Sequence, residues 1–362
     1  MEEKKIRVAI THGDTNGIGY EMIFKTFSDP AILELCTPII YGSPKIAAYH
    51  RKSLGIQANF TIINKAEDAQ DNKVNMLTTF DEEVKVDMGT PSKPSAQAAQ
   101  KALLRALTDF GRGLYDVLVT APVNPDESLG ESDDHVSQTQ FIEAKTSTAG
   151  KALQIYVNEG FRIASATGDM PLRDALTTLT KELVVDRAKT FIESLRRDFR
   201  LSNPRLALLQ VNPKLAEEEE TILKPAIDDL HESGLGVFGP YAADEYFSQS
   251  FYKQFDGTLA IHYDQALTPF RLLSKEDSVS LLTGLPVVCT APFSGPCFDI
   301  AGKGIADEND LRQAIYLAID TCRNRIHYDE PLADPLQKLY HEKRDESEKV
   351  RFAIPKKHEQ IQ

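Results

Sequence analysis

The chain has 362 residues, of which 41% are hydrophobic, and a formal net charge of -13 at pH 7. This length and apolar content are enough for a sizeable buried core, and the length favours two domains. The acidic balance argues against a nucleic-acid or anionic-membrane surface, because clustered Lys and Arg hold such partners. No apolar run is long enough to cross a bilayer and the charged start does not resemble a signal peptide, so we expect a cytoplasmic protein.

Short runs rich in Val, Ile and Leu alternate along the chain with longer segments of helical period. This alternation predicts βαβ units around a mostly parallel sheet, and hence an α/β fold. Strands are predicted at residues 7–11, 38–41, 60–64, 116–120, 152–157, 162–167, 205–211, 257–262 and 286–290. The clearest helices are predicted at residues 95–110, 181–200, 217–233 and 309–323.

Four predicted strands end in short polar elbows. Ligands of sheets with helical crossovers lie outside the carboxyl ends of the strands, so we expect the elbows to line one site. The elbows are Thr120-Ala-Pro-Val-Asn124, Thr167-Gly-Asp-Met-Pro171, Val211-Asn-Pro-Lys214 and Ile261-His-Tyr-Asp-Gln265.

A glycine-bearing loop, Thr11-His-Gly-Asp-Thr-Asn-Gly-Ile-Gly19, joins the first strand to a helix. Its glycines permit a tight turn, and the helix start offers free amides to an anion. The spacing matches neither a Walker loop nor a Rossmann fingerprint, so a ligand site and a plain turn both stay open. His12 is likewise either a ligand contact or a packing residue.

Two further features favour structural roles. The acidic run from Glu217 to Glu220 begins a predicted helix, where a solvated acidic first turn suits the helix dipole. The cysteines have no paired C-x-x-C spacing, so neither a zinc knuckle nor a disulfide framework is expected. Cys289, at a strand end, is either a reactive thiol or, by default, an inert buried one.

The passage from Ile10 to Glu21 resembles the Gly-Asp-Pro-Ala-Gly-Ile-Gly-Pro-Glu opening of the 4-hydroxythreonine-4-phosphate dehydrogenase family of pyridoxal phosphate biosynthesis. Similar motifs follow in the same order, so that the resemblance spans the chain from about Ile6 to Arg325. They are Val119-Thr-Ala-Pro-Val-Asn124, Pro171-Leu-Arg-Asp174, Asn212-Pro213, Phe238-Gly-Pro-Tyr-Ala-Ala-Asp244, Asp264-Gln265, Gly284-Leu-Pro286 and Phe298-Asp-Ile-Ala-Gly-Lys-Gly304.

The resemblance implies an isocitrate/isopropylmalate dehydrogenase-like fold, with two α/β domains, an active-site cleft between them and a homodimer. It also implies an enzyme that uses NAD as the oxidant, with a divalent metal, zinc or magnesium, to oxidise a secondary alcohol of a small phosphorylated, amino-acid-like substrate. The ketone then decarboxylates. In this chemistry the metal stabilises charge on the alcohol oxygen and then on the carbonyl oxygen. The family's NAD cleft has no short motif from which cofactor-binding residues can be assigned.

In the family, three histidines hold the metal, and the resemblance maps them onto Asp169, Lys214 and Tyr263. Asp169 retains the ability to ligate a metal. A Lys214 ammonium has no lone pair and a neutral tyrosine is a poor ligand, so we do not expect these residues to form the family's metal site. If the neighbouring His262 lies on a strand, its side chain points to the opposite face.

Asp169 and Lys214 at neighbouring elbows allow two interpretations. In the first, the ammonium neutralises developing oxygen charge in place of the metal. In the second, the two residues form an ion pair that fills the vacated pocket. Together with Asp244, which matches the family, Asp169 and Lys214 are the predicted catalytic residues.

The family's substrate anchors are only partly kept. His135 matches the histidine of a His-Thr-Glu motif whose threonine is Val136 here. The phosphate-binding lysine is matched by Arg271, the asparagine by Ser280 and the arginine by Cys289. One fixed positive charge and one amide donor are therefore missing, so we expect a lower affinity for phosphate.

We predict a first domain from residues 1–130 plus 295–330, a second from 131–294 with most of the dimer contact, and a polar C-terminal arm from 331–362. The predicted function is an NAD-dependent oxidoreductase of the resembled family. The alternative is a catalytically impaired or non-catalytic paralogue that keeps the fold as a binding or partner protein.

Overall fold

The structure is a computed structural model that describes residues 5–80, 83–126, 137–146, 150–274 and 277–334. Within these ranges a 12-stranded sheet runs through the whole molecule, in the order β3-β4-β2-β1-β5-β12-β11-β6-β7-β10-β8-β9. The strands are β1 (Ile6–Thr11), β2 (Cys36–Gly42), β3 (Thr61–Ile63), β4 (Asn75–Thr78), β5 (Val117–Thr120), β6 (Leu153–Asn158), β7 (Phe161–Ser165), β8 (Leu206–Leu209), β9 (Val237–Tyr241), β10 (Gly257–Ala260), β11 (Val279–Thr283) and β12 (Val288–Pro292).

Helices connect the strands and cover the sheet. They are α1 (Gly19–Thr26), α2 (Ile32–Leu35), α3 (Pro44–Leu54), α4 (Lys93–Phe110), α5 (Gln138–Lys145), α6 (Leu172–Thr178), α7 (Lys181–Arg197), α8 (Lys224–Glu232), α9 (Ala243–Ser248), α10 (Tyr263–Leu273) and α11 (Asn309–Ala333). Hydroxyl caps fix the starts of two of the predicted helices, α4 and α7. The side chains of Ser92 and Thr180 accept hydrogen bonds from backbone amides of these helices. No helix in the described ranges is long and apolar enough to span a membrane.

The sheet is mostly parallel, as predicted, but its direction reverses near the middle. The pairs β12–β11, β11–β6 and β6–β7 are antiparallel. Three reversals make β7, β10 and β8 run opposite to β5 and β1. The carboxyl ends of β7, β8 and β10 therefore lie on the same side of the sheet, viewed along the strand direction. The carboxyl end of β5 lies on the opposite side. The prediction that all four elbows line one site is wrong for Thr120-Ala-Pro-Val-Asn124.

All nine predicted strands are present with shifted ends, and three further strands, β4, β9 and β11, were not predicted. β9 contains Gly239 and Pro240, which disguise a strand in the sequence. The predicted helix at 309–323 continues to Ala333, so part of the predicted C-terminal arm is helical. A reason lies in tertiary structure, because Arg197 of α7 donates to Asp329 of this extension over 2.9 Å.

Apolar clusters pack both halves of the sheet. One cluster joins β1 and β2 to α1 and α11, and a second joins β7, β8 and β10 to α7 and α8. The longest helix, α11, contributes to the first cluster and also carries Arg325, which pairs with the buried Asp198 that follows α7. The half that carries the three converging elbows is thereby anchored to the rest of the molecule.

Candidate functional site

Hydrogen bonds tie the elbows after β7, β10 and β8 into one unit. The amide and hydroxyl of Thr167 both donate to the carbonyl of Ile261, over 3.1 and 2.9 Å. The side chain of Gln265 accepts from the amide of Ile261 over 2.8 Å and donates to the carbonyl of Gln210 over 2.7 Å. The backbones of the three elbows are consequently held in fixed relation to one another.

Two tyrosines meet beside this unit. Tyr263 is half-buried at the first position of α10, and Tyr156 is buried on β6, directly opposite Ser280 of β11. Burial raises the pKa of Tyr156 well above its ordinary range, and Tyr263 and Asp169 raise it further. Burial and then Asp169 also raise the pKa of Tyr263, while Arg271 opposes them. Both phenols therefore stay protonated at neutral pH.

The two tyrosines belong to the same apolar region, because Tyr263 packs against the cluster that contains Tyr156 and Phe270. A phenol has one hydrogen and can both donate and accept. The Tyr263 hydroxyl is therefore a candidate hydrogen-bond donor to a ligand.

Arg271 completes the group from the last turn of α10. Its guanidinium carbon lies 4.5 Å from the centroid of the Phe293 ring, which packs on Phe270 at 5.0 Å and on Tyr156 at 5.6 Å. The π face of Phe293 thus orients the guanidinium of Arg271 through a cation–π contact. We call Tyr156, Asp169, Tyr263, Arg271 and Phe293 the tyrosine–arginine cluster.

The family's metal does not fit the residues at its three mapped positions. Asp169 and Lys214 are both exposed, and in the described part of the chain they do not form the ion pair of the second interpretation. The third position offers only a protonated phenol, Tyr263. Within the described ranges no group of three or more His, Cys, Asp and Glu side chains is arranged to hold a metal ion. One carboxylate, one ammonium and one phenol are a poor donor set for a divalent cation.

His262 does not restore a metal ligand at the mapped position. The strand β10 ends at Ala260, so the alternation of strand faces does not determine where His262 points. It occupies the position just before α10 and is partly buried. Burial lowers its pKa, against the opposing effect of Asp264.

The predicted substrate-binding residues are separated by the fold. Ser280 of β11 is the register partner of Tyr156 on β6, and its hydroxyl accepts a hydrogen bond of 2.7 Å from Gln154. Cys289 is instead packed in an apolar cluster with Leu282 and Tyr115. Burial raises the pKa of its thiol to about 12, as for an inert core cysteine.

Three further predicted site residues remain, and the structure describes one of them. Asp244 is exposed in the first turn of α9, at the carboxyl side of β9. His135 and Val136 lie outside the described residues.

The glycine-bearing loop is folded into the protein interior, with every residue from Thr11 to Gly19 buried. The Asp14 carboxylate accepts hydrogen bonds from the Asn16 amide over 2.8 Å and from the Ser95 hydroxyl over 3.1 Å. Gly13 has φ +72°, and a Cβ there would lie 2.3 Å from the carbonyl oxygen of Pro122 in the elbow after β5. These contacts give the loop a structural role in packing that elbow.

His12 of the same loop is a packing residue. Its ring is fully buried and stacks on Tyr20 with the ring centroids 5.2 Å apart. Burial, aided by the nearby His50, lowers the pKa of His12 to about 4. The imidazole is therefore neutral at physiological pH.

Glu219 is a functional-region residue that the sequence did not predict. The acidic run was expected to be solvated, which is wrong for Glu219, because this side chain is fully buried. Its carboxylate accepts from the amides of Val211, Asn212 and Ala216, each over 2.9 Å. Burial by itself would raise its pKa, but the donors of Asn212 and Ala216 lower it overall. Glu219 thus shapes the elbow that carries Lys214.

Comparison with known proteins identifies the family. The model of the family described as pyridoxal phosphate biosynthetic protein PdxA matches residues 34–318. The chain belongs to the PdxA family. The 4-hydroxythreonine-4-phosphate dehydrogenase of Bacteroides thetaiotaomicron is 47% identical over 97% of this chain and 98% of that protein.

More distant PdxA relatives agree with this assignment. The 4-hydroxythreonine-4-phosphate dehydrogenase of Zymomonas mobilis is 30% identical over 89% of this chain and 97% of that protein. A solved 4-hydroxythreonine-4-phosphate dehydrogenase from Klebsiella pneumoniae is 25% identical and superposes with a TM-score of 0.73, over 88% of this chain and all 100% of that one. The predicted family and α/β fold class are confirmed, and the chain belongs to a family of oxidoreductases of pyridoxal phosphate biosynthesis.

Proposed function

We propose that this protein is an NAD-dependent oxidoreductase that oxidises the secondary alcohol of 4-hydroxythreonine 4-phosphate, or of a closely similar phosphorylated amino acid, and then releases carbon dioxide. The observation that carries the proposal is the 47% identity with a protein of that name over nearly the whole of both chains. The relatives described above all bear the name of a dehydrogenase. The alternative of a non-catalytic paralogue has no comparable support.

The chain's own residues supply binding and charge. Arg271, held over Phe293, offers a permanent positive charge to an anionic group of the substrate. Asp169 and Asp244 are exposed carboxylates near strand ends and are the candidate proton acceptors. His135, Val136 and Ser280 remain candidate substrate contacts. The burial of Cys289 and its raised pKa favour a packing role for that residue.

NAD, when bound, supplies the acceptor for the hydride that alcohol oxidation removes. Near the elbows, one buried polar atom is a candidate hydrogen-bond acceptor for a polar group of a ligand such as NAD. The side-chain carbonyl oxygen of Gln210 is buried and has no hydrogen-bond partner among the described residues. It would accept a hydrogen bond from a hydroxyl or carboxamide group of a ligand. Zinc or magnesium, which the family uses, has no part in this proposal because the donors at the mapped positions do not fit a cation.

A homodimer is also part of the proposal. Leu172 and Leu176 lie four residues apart on α6 and are 56% and 45% exposed, and Leu215 beside Lys214 is 57% exposed. Exposed apolar side chains of this kind mark protein contacts when they are grouped. The division into domains at 1–130 plus 295–330 and at 131–294, and a cytoplasmic location, remain predictions. Size-exclusion chromatography with light scattering measures the oligomeric state.

The activity is tested with purified protein, NAD and 4-hydroxythreonine 4-phosphate. NADH absorbance reports oxidation, and release of carbon dioxide reports decarboxylation. We expect both products in equal amounts. A correctly folded protein that binds the substrate in calorimetry but forms no NADH, with or without added zinc or magnesium, would instead identify a non-catalytic paralogue.

A further inference from the structure

We propose that the tyrosine–arginine cluster replaces a divalent cation in this protein, with the Tyr263 hydroxyl donating a hydrogen bond to the reacting oxygen of the substrate and Arg271 supplying fixed positive charge beside it. The inference rests on the proposed function, since it concerns the decarboxylation that follows alcohol oxidation. It predicts an enzyme that needs no metal.

The side chains of the tyrosine–arginine cluster are poorly suited to bind a divalent cation. A catalytic zinc site uses about three protein ligands with lone pairs, and magnesium prefers several oxygen ligands. Here the cluster contains a single carboxylate, Asp169, and the guanidinium of Arg271 lies over Phe293, which packs on Tyr156. A guanidinium brings no lone pair and repels a second cation. The arrangement suits an anionic oxygen better than a metal ion.

Tyr263 occupies a well-defined position in the fold. It follows the Ile261 elbow directly, and Gln265 fixes that elbow through hydrogen bonds on both sides. Tyr263 packs against the apolar cluster that contains the buried Tyr156, and Tyr156 is itself packed on Phe293 at 5.6 Å. Tyr263 is only partly buried, which leaves part of its side chain accessible to a ligand. Such a preorganised donor stabilises charge without having to reorient during the reaction.

The chemistry requires such a donor at one atom. When the bond between the carboxylate carbon and its neighbour breaks, carbon dioxide leaves and the bonding electron pair forms a double bond between that neighbour and the ketone carbon. The electron pair of the carbonyl π bond moves onto the ketone oxygen, which gives an enolate. A proton from solvent then adds to carbon and restores the ketone. Tyr263 and Arg271 would stabilise the enolate oxygen, which is what a Lewis-acidic metal otherwise does.

The test combines metal analysis with matched tyrosine variants. Metal content, zinc titration by calorimetry and turnover after EDTA treatment are measured on the wild-type protein. Tyr263→Phe removes only the hydroxyl, Arg271→Gln removes the charge, and Tyr49→Phe serves as the control because Tyr49 is exposed on α3, outside the cluster. Thermal unfolding verifies that each variant is folded.

We expect substoichiometric metal, no calorimetric zinc binding and turnover that survives EDTA. Tyr263→Phe should lower kcat by roughly 10²–10³-fold, as for loss of an oxyanion donor, with a smaller change in KM. Arg271→Gln should also lower kcat, and Tyr49→Phe should leave it unchanged. Stoichiometric bound metal, restoration of EDTA-treated enzyme by zinc or magnesium, or a wild-type kcat in folded Tyr263→Phe would each overturn the inference.

The two proposals fail in different ways. Absence of turnover under every condition would refute the proposed function, and with it the role of Tyr263 in that reaction. Turnover that appears only with added metal would support the proposed function and refute the metal-free cluster.

Discussion

The guanidinium of Arg325 lies 2.6 Å from a carboxylate oxygen of Asp198, and both side chains are almost completely buried. The same carboxylate accepts hydrogen bonds from the hydroxyls of Ser194 and Thr283 over 2.7 and 3.1 Å. Helix α11, the end of α7 and the strand β11 therefore meet at the side chain of Asp198.

Asp198→Asn should destabilise the protein strongly, because it leaves the Arg325 charge buried without its partner. We expect a loss of about 3–5 kcal/mol in the free energy of unfolding, measured by urea denaturation. The matched control is Asp329→Asn, which breaks the half-exposed pair with Arg197 and should cost less than about 1 kcal/mol. Equal effects of the two substitutions would contradict a dominant role for the buried pair.

Glu219→Gln should weaken the elbow after β8. The substitution removes the negative charge that accepts three backbone amides, and charged hydrogen bonds of this kind are worth more than neutral ones, so we expect a loss of about 2–3 kcal/mol. Glu217→Gln, on the exposed part of the same acidic run, should be close to neutral. If both variants unfold at the same urea concentration, the carboxylate of Glu219 does not hold the elbow.

Gly13→Ala should cost more stability than Gly55→Ala. Both glycines have positive φ, +72° and +66°, so both alanines carry the backbone penalty of about 1–2 kcal/mol. Only at Gly13 does the new Cβ meet a backbone oxygen, that of Pro122 at 2.3 Å, whereas nothing lies within 4 Å of it at Gly55. Thermal unfolding of the two variants measures the extra loss of stability caused by this contact. A Gly13→Ala variant as stable as Gly55→Ala would argue against close packing of the loop.

The buried His12 should make stability depend on pH. Its pKa is about 4 in the folded protein and 6.5 ordinarily, so the unfolded chain binds the proton more readily. Stability is then fully present above about pH 6.5 and falls by roughly 3 kcal/mol as the pH drops to about 4. His12→Phe should reduce this slope in urea unfolding at a series of pH values, with some slope remaining because burial also lowers the pKa of His50. His327→Phe, at an exposed position on α11, controls for the loss of one histidine.

Lys214→Ala tests whether the ammonium replaces the family's metal. Lys214 is exposed and, in the described part of the chain, is not paired with Asp169, so we expect unfolding free energy to change by less than about 0.5 kcal/mol. Turnover should stay near the wild-type value, in contrast to Tyr263→Phe. A large fall in kcat without loss of stability would return Lys214 to the catalytic group.

Local pattern alone predicted a large part of the fold. Apolar runs such as Ile6–Thr11 and the periodic stretch of Lys93–Phe110 determine their own structure, because burial of alternate or helically spaced side chains needs no knowledge of the partner. Motifs from the glycine-bearing loop to Phe298 also carried the family resemblance. The replacement of the metal-binding histidines by Asp169, Lys214 and Tyr263 was visible in the sequence as well.

Tertiary structure alone decided which of these residues meet. Pairing direction separates the elbow after β5 from the other three, and no local pattern encodes the reversals at β11 and β6. Long-range contacts likewise bury His12 and bring Tyr156 and Phe293 to the region of Tyr263 and Arg271. The physical reason is that charge, burial and hydrogen bonding depend on neighbours distant in sequence, whereas helical and strand periodicity depend only on the residues that follow one another.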